Sequence, residues 1–114
     1  MDLKQGGIVP IASLARFHAL SNGITISATL DRLVAAEEVG GLDRETAQAL
    51  REAFTIVCKV RLDHHEASIQ AGKAPDNLID PAELPPLERA SLREAFLAIA
   101  RAQKQLGRFV PMGL

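Results

Sequence analysis

Residues 43–72 read DRETAQALREAFTIVCKVRLDHHEASIQAG, a stretch without proline or internal glycine that decides the fold. Asp43 is a good N-cap because its carboxylate can accept hydrogen bonds from the free N–H groups of the first turn. Gly72 suits the position after the last turn, where the backbone takes the left-handed conformation. Polar residues recur between them at alternating steps of three and four, as one face of a helix requires: Gln48, Glu52, Thr55, Lys59, Asp63, Glu66 and Gln70. A helix with so narrow a polar stripe must pack on several sides, so residues 43–71 are predicted to be the central helix of a bundle.

The face opposite this polar stripe changes character halfway along the helix. Its first half is apolar: Leu50, Ala53, Phe54 and Val57. Its second half is polar: Arg61, His64, His65 and Ser68. Because a buried charge is costly without a partner, the polar half needs an explanation. One interpretation places it at an end of the bundle, with water or carboxylates in reach. The other makes it a pocket for an anionic ligand or a neighbouring domain.

Three further helices are predicted, near residues 10–22, 28–39 and 86–107. Pro10 suits the first turn of the first helix, and Ser27 can cap the second. The second helix would then turn three apolar side chains inward: Leu30, Leu33 and Val34. The last helix has a clear core stripe: Leu92, Ala95, Phe96, Ile99, Ala102 and Leu106. Alternating β-branched runs are missing, so the predicted fold class is all-α, a mainly antiparallel bundle of four helices in a single domain of residues 1–114.

Two segments lie outside these helices, a junction at residues 1–9 and a loop at residues 73–85. The Gly6-Gly7 pair makes a turn or permits a close backbone approach. The loop is rich in proline and has no helical period, but its apolar residues predict that it is ordered and packs on the bundle. A guanidinium at Arg61 needs a planar acceptor, and we expect it to bond to residues 76–81, at Asp80 or at a backbone carbonyl. Arg61→Ala should then destabilise the fold by several kcal/mol.

The composition narrows the classes of function. A net charge of −1 and four Phe without Trp or Tyr leave little with which to bind nucleic acid. No apolar run has the length of a membrane span, so no membrane partner is expected. The lone Cys58 rules out a disulfide within the chain, agrees with a cytoplasmic location, and is interpreted as inert packing.

Motifs for catalysis or metal binding are missing from the sequence. The adjacent pair His64-His65 would point about 100° apart on a helix, so no metal site is expected there. His18 is interpreted as a hydrogen-bonded residue at a helix edge rather than a ligand. No nucleophile motif, phosphate-binding loop or dinucleotide-binding fingerprint occurs. The chain alone is therefore not expected to be an enzyme, and no cofactor is expected in it.

Two stretches resemble known proteins. The opening DLKQGGIVPI at residues 2–11 is similar to the segment that joins the catalytic core to a helical domain in the nucleotidyltransferases that modify glutamine synthetase and the PII protein. Pro10 stands where those enzymes carry Asp. A longer pattern resembles the family called "putative nucleotidyltransferase substrate-binding domain". It includes Leu14-Ala15-Arg16, Arg51-Glu52-Ala53-Phe54, Arg61-Leu62, Asp76-Asn77, Ile79-Asp80-Pro81 and Pro86-Leu87-Glu88-Arg89.

This family follows a nucleotidyltransferase-like domain in bacterial signalling proteins, often with cyclic-nucleotide-binding and CBS domains upstream. The resemblance implies that the chain is the C-terminal part of such a protein, an accessory substrate-binding domain that walls the active cleft without catalysing by itself. The site residues expected on this basis are Lys4, Gly6, Gly7, Arg61, His64, Asn77 and Asp80.

The implied partner is the upstream nucleotidyltransferase-like domain. A protein substrate and a homodimer are compatible with the resemblance, as are magnesium and a nucleoside triphosphate in the parent protein. The alternative is a helical dimerisation or signal-relay module that binds no substrate. Catalytic Gly-Ser and Asp-x-Asp motifs upstream of the chain would favour the substrate-binding domain, and their absence would favour the alternative.

Overall fold

The computed structural model describes residues 1–109, with the side chains of residues 1–107, and contains four α-helices. Helix α1 spans Val9–Ser21, α2 spans Thr29–Glu38, α3 spans Arg44–Gln70 and α4 spans Pro86–Phe109. A π-helical turn, Lys4–Ile8, leads directly into α1, and a 3₁₀ turn, Pro81–Glu83, precedes α4. Residues 1–109 contain no β-strand, which confirms the all-α fold class. The mainly antiparallel arrangement stays a prediction.

Helix α3 begins and ends within one residue of its predicted bounds, because both end signals act as expected. The Asp43 carboxylate accepts hydrogen bonds from the backbone N–H of Thr46 at 3.0 Å and from its hydroxyl at 2.9 Å. Gly72 ends the helix with a φ of 72°. The buried side chains of α3 are Ala47, Leu50, Ala53, Val57 and Val60. Phe54 follows the buried Ala53 in sequence and therefore lies to one side of the buried face. Its ring is only half-buried against the core, so the prediction that it is buried is wrong.

The other elements pack around α3. Helix α4 lies along it, α2 contacts both α1 and α3, and the π-helical turn contacts α1, α3 and α4. The large side chains that are fully buried come from the four helices and from the residue before the π-helical turn: Leu3, Ile11, Leu33, Leu50, Leu92, Val57 and Val60. An ion pair between Glu37 Oε1 and Arg51 Nη1, 3.0 Å apart, links α2 to α3 at the rim of the core.

The N-terminal segment, for which a turn at Gly6-Gly7 was one of two predictions, forms a helical turn instead. The Asp2 carboxylate caps it by accepting from the backbone N–H groups of Lys4 at 3.0 Å and Gln5 at 2.9 Å. Gly7 is buried, and a Cβ atom placed there would lie 2.8 Å from Cγ1 of Val57. The turn at residues 6–7 is therefore wrong, and the close backbone approach is confirmed, because a wide helical turn with no side chain at residue 7 fits directly against α3.

Helix α2 is rotated from its predicted phase. Its N-cap is Ala28, with no side-chain hydrogen bond, so Ser27 does not cap it. Leu33 is buried as predicted, whereas Leu30 is 38% exposed and Val34 is 41% exposed. A helix of only ten residues buries a single stripe, here Leu33 and Ala36. Leu30 and Val34, which were also predicted to turn inward, instead line an open apolar groove between α2 and α3.

Candidate functional site

The polar half of α3 is held against the loop that follows the helix. The Arg61 Nε group donates a hydrogen bond to Oδ1 of Asn77 at 2.7 Å, and His65 Nε2 lies 3.3 Å from the same oxygen. His64 Nε2 lies 3.0 Å from Oδ1 of Asp76. These five residues, Arg61, His64, His65, Asp76 and Asn77, form what we call the polar clamp. Its three α3 members and Asn77 are half-buried, while Asp76 is exposed.

The Asp76 carboxylate is held ionised within the polar clamp. The hydrogen bond from His64 is the largest cause that lowers the pKa of Asp76. The backbone N–H of Leu78 donates to the same carboxylate at 3.0 Å and lowers the pKa further. The charges of His64 and His65 act in the same direction. An aspartate that accepts from the backbone two residues later forms a local turn. The carboxylate thus shapes the loop and ties it to α3, but its exposure means that water competes for both bonds.

The other side of the same loop is bonded to the N-terminal segment. The backbone N–H of Leu3 donates to the carbonyl of Asn77 at 2.8 Å, and the N–H of Ile79 donates to the carbonyl of Met1 at 2.9 Å. Asp2 and Leu78 thereby form an isolated antiparallel bridge. Asn77 therefore contacts α3 through its side chain and residue 3 through its backbone. The junction segment, the loop and α3 are joined at this one residue.

A cleft of about 330 Å³ opens beside the polar clamp, between α3 and the loop that leads into α4. His64 borders it together with apolar side chains: Val60, Leu78, Ile79, Leu84 and Pro85. Four carboxylates border it as well: Asp63, Asp80, Glu83 and Glu88. Lys59 Nζ lies 2.9 Å from Asp63 Oδ2 and offsets one of these charges. The cleft as a whole is acidic, so it suits a cation or a hydrogen-bond donor better than a phosphate.

The structure brings three of the seven predicted site residues together, namely Arg61, His64 and Asn77. The expected bond from Arg61 to the loop is present, but its acceptor is the Asn77 side chain and not Asp80. The Asp80 carboxylate instead accepts from the backbone N–H of Ala82 at 3.0 Å and caps the 3₁₀ turn. Because that local bond already fixes its position, Asp80 is not part of the polar clamp. Its side chain borders the acidic cleft instead.

The remaining predicted site residues lie in the π-helical turn. The Lys4 side chain is exposed, and its backbone N–H is bonded to Asp2. Gly6 faces the Phe96 ring and Gly7 faces Val57, so both glycines serve packing. Among the described residues these three make no hydrogen bond to the polar clamp, whereas the neighbouring Leu3 donates its backbone N–H to the carbonyl of Asn77.

Two members of the polar clamp, His65 and Asp76, were not among the predicted site residues. His65 was placed on the correct face of α3, and the pair Asp76-Asn77 carried a turn signal, since both residue types bond readily to nearby backbone. What the sequence could not supply was the direction in which the loop leaves Gly72. That direction decides which polar residues of α3 and of the loop meet.

Two further titratable side chains lie outside the clamp. His18 is only 8% exposed, so it is buried and not at a helix edge. Its burial lowers the pKa, while the Gly41 backbone and the Asp43 carboxylate act in the opposite direction. Burial raises the pKa of the Cys58 thiol, which is therefore protonated and unreactive at neutral pH. Among the residues whose side chains are described, no group of three or more His, Cys, Asp or Glu could hold a metal ion.

Comparison with known proteins gives one match. The model of a family described as "Putative nucleotidyltransferase substrate binding domain" matches residues 1–109. Among curated proteins and among solved structures, none matches the chain. Within the described residues, no helix combines the length and the apolar character needed to cross a membrane.

Proposed function

The chain belongs to the family of nucleotidyltransferase substrate-binding domains, and from this membership we propose that it is the accessory domain of a signal-transduction nucleotidyltransferase. In this role it forms one wall of the active cleft and binds the protein substrate. The catalytic residues, the nucleoside triphosphate and magnesium belong to the associated nucleotidyltransferase domain.

The polar clamp is the observation that carries this proposal. It fixes the 76–80 loop on α3 through side chains and on residues 1–3 through the backbone. A surface fixed before its ligand arrives binds with a smaller loss of conformational entropy than a mobile loop does. The clamp also contains a guanidinium, two imidazoles, a carboxylate and an amide, which are groups suited to orienting a polar substrate.

The charge of the cleft favours a protein substrate over a nucleotide. The carboxylates of Asp80, Glu83 and Glu88 border it, His64 is the one basic residue among those that line it, and Lys59 is bonded to Asp63. A triphosphate would meet like charges here. A protein segment with lysine or arginine side chains would find acceptors and several apolar walls.

A titration followed by NMR tests this assignment. We expect a short lysine- and arginine-rich peptide to shift backbone amide signals around residues 63, 80, 83 and 88, and the double variant Glu83→Gln/Glu88→Gln to weaken its binding. The matched control is Glu38→Gln/Glu45→Gln, which removes two exposed carboxylates outside the cleft and should leave binding unchanged. Magnesium ATP should shift these signals little. The assignment is wrong if magnesium ATP binds in the cleft and the peptide does not.

The apolar groove between α2 and α3 favours a second candidate, a helical dimerisation module. The groove has a volume of about 520 Å³, and its lining includes Leu30, Val34 and Ile56. Its rim carries Glu52 and Lys59, seven residues apart on α3. A two-fold axis near residue 55 would place Glu52 of one copy opposite Lys59 of the other. Sedimentation equilibrium decides: a dimer that Val34→Glu dissociates supports this candidate, and a monomer at millimolar concentration removes it.

A further inference from the structure

A second cavity shares no lining residue with the acidic cleft. It has a volume of about 320 Å³ and is bordered by α4, the 3₁₀ turn and residue 1. Its apolar walls are Met1, Pro81, Leu92, Phe96 and Leu97. Its charged walls are Arg89 and Arg93, which lie on one face of α4 because they are four residues apart. The cavity thus combines an apolar floor with two guanidinium groups and no carboxylate.

Neither guanidinium has an anionic partner among the described side chains, where no carboxylate lies within 4.0 Å of either arginine. Arg93 is exposed. Arg89 donates to the carbonyl of Leu84 from Nη2 at 3.2 Å, and its Nε is buried without a hydrogen-bond partner. An unsatisfied buried donor is rare and unfavourable. A small rotation of this side chain toward an anion in the cavity would satisfy it.

We propose that this cavity binds a small organic anion, with its apolar body against Phe96 and Leu97 and its carboxylate or phosphate on Arg89 and Arg93. The cavity volume falls at the lower end of the range for small-molecule sites, about 300–1,000 Å³. Two adjacent guanidinium groups can each present a pair of parallel N–H donors to such an anion. The apolar floor selects against inorganic phosphate and other fully hydrated anions.

Two aromatic anions and two incomplete analogues test the site on the chain by NMR. Hydrocinnamate should shift the amide signals of residues 89, 92, 93, 96 and 97, and phenyl phosphate in its place shows whether phosphate is preferred as the headgroup. Hydrocinnamyl alcohol lacks the charge and propionate lacks the ring, so each should bind at least about fivefold more weakly, since a charge-assisted hydrogen bond or a buried ring is lost.

Substitutions separate this site from nonspecific attraction to positive charge. Arg93→Gln leaves the Arg89–Leu84 bond in place and should weaken hydrocinnamate binding by about fivefold or more. Arg101→Gln removes an exposed arginine of the same helix outside the cavity and should leave binding unchanged. The proposal is overturned if Arg93→Gln binds hydrocinnamate as tightly as the unchanged chain does, if the neutral alcohol binds equally well, or if neither anion shifts these signals at millimolar concentration.

Discussion

Replacing Arg61 by alanine tests the polar clamp directly. The substitution removes the 2.7 Å bond from Arg61 Nε to Asn77 Oδ1, and a hydrogen bond to a charged group contributes about 1.5–3 kcal/mol. Asn77 is only half-buried, and its Oδ1 retains His65 Nε2 at 3.3 Å. Asn77 Oδ1 therefore keeps a hydrogen-bond partner after the substitution. The expected loss in the free energy of unfolding is about 1–2 kcal/mol, smaller than the several kcal/mol predicted from the sequence.

Urea unfolding followed by far-ultraviolet circular dichroism measures this loss. Arg61→Lys should recover only part of it, because an ammonium cannot reproduce the orientation of the Nε donor. Arg16→Ala is the matched control, since Arg16 is exposed on α1, and such surface changes stay within about 0.5 kcal/mol. A double-mutant cycle with Asn77→Ala isolates the coupling between the two side chains.

Hydrogen exchange gives a second readout of the same substitution. The amides of Leu3 and Ile79, which bond across the junction, should exchange faster in Arg61→Ala than in Arg16→Ala, because the loop is freed from α3. The reasoning is refuted if Arg61→Ala unfolds at the same urea concentration as Arg16→Ala and both amides keep their protection.

Four other predictions follow from the packing and the titratable groups. Gly7→Ala should lower the free energy of unfolding by about 1–2 kcal/mol, because its Cβ would lie 2.8 Å from a methyl of Val57. Gly6→Ala, with 3.4 Å to the nearest atom, should be tolerated, and Val57→Ala in the same chain should relieve the Gly7→Ala clash. The lowered pKa of His18 means that the unfolded chain takes up the proton first, so the free energy of unfolding should fall as the pH drops below about 6.5, and less so in His18→Gln. Phe54→Ala should cost about 1.5–3 kcal/mol in urea unfolding, less than a fully buried phenylalanine, because the ring is half-buried. With a labelled nucleoside triphosphate and magnesium, the chain alone should transfer no label to itself or to an added protein.

Each of these predictions has an outcome that contradicts it. An unchanged unfolding midpoint in Gly7→Ala would mean that α3 shifts away from residue 7 at no cost. A pH profile that is identical with and without His18 would place the titration elsewhere. A loss below about 0.5 kcal/mol for Phe54→Ala would put the ring in solvent. Label transfer that is abolished by a substitution within the chain would make the chain itself catalytic.

Helix α3 could be predicted closely because its signals are local. The capping carboxylate of Asp43 and the left-handed Gly72 act within a few residues of themselves, and the polar stripe reports the exposed face directly. Four of the six residues in the predicted core stripe of α4 are buried for the same reason, namely Leu92, Ala95, Ile99 and Ala102, while Phe96 and Leu106 are half-buried against the core. Sequence reasoning succeeds where the periodic pattern and the end signals agree.

The N-terminal turn and the phase of α2 could not be read locally. A glycine pair ordinarily indicates a turn, and only the approach of residues 6–7 to α3 makes the helical conformation favourable there. Leu30, Leu33 and Val34 all looked suited to the interior, but a short helix buries one stripe, and its neighbours decide which. Tertiary packing overrides the local pattern in both places.

The polar clamp was predicted in outline and missed in detail. Arg61 was expected to bind the loop, and it does. The predicted acceptor is Asp80 or a backbone carbonyl, whereas the acceptor in the structure is the side-chain amide oxygen of Asn77. A bond to Ala82 already occupies Asp80, while Asn77 is placed opposite α3 by the backbone pairing of the loop with residues 1–3.

The backbone pairing between the N-terminal residues and the loop constrains how the chain can fold during synthesis. Met1 and Ile79 are 78 positions apart in the sequence. At a translation rate of about 5–20 residues per second, roughly 4–16 seconds separate the synthesis of the two partners. During that interval Leu3, which is 0% exposed in the finished fold, has no loop to bond to. Residues 1–3 therefore reach their final place only after the loop has been synthesised, several seconds after they were themselves.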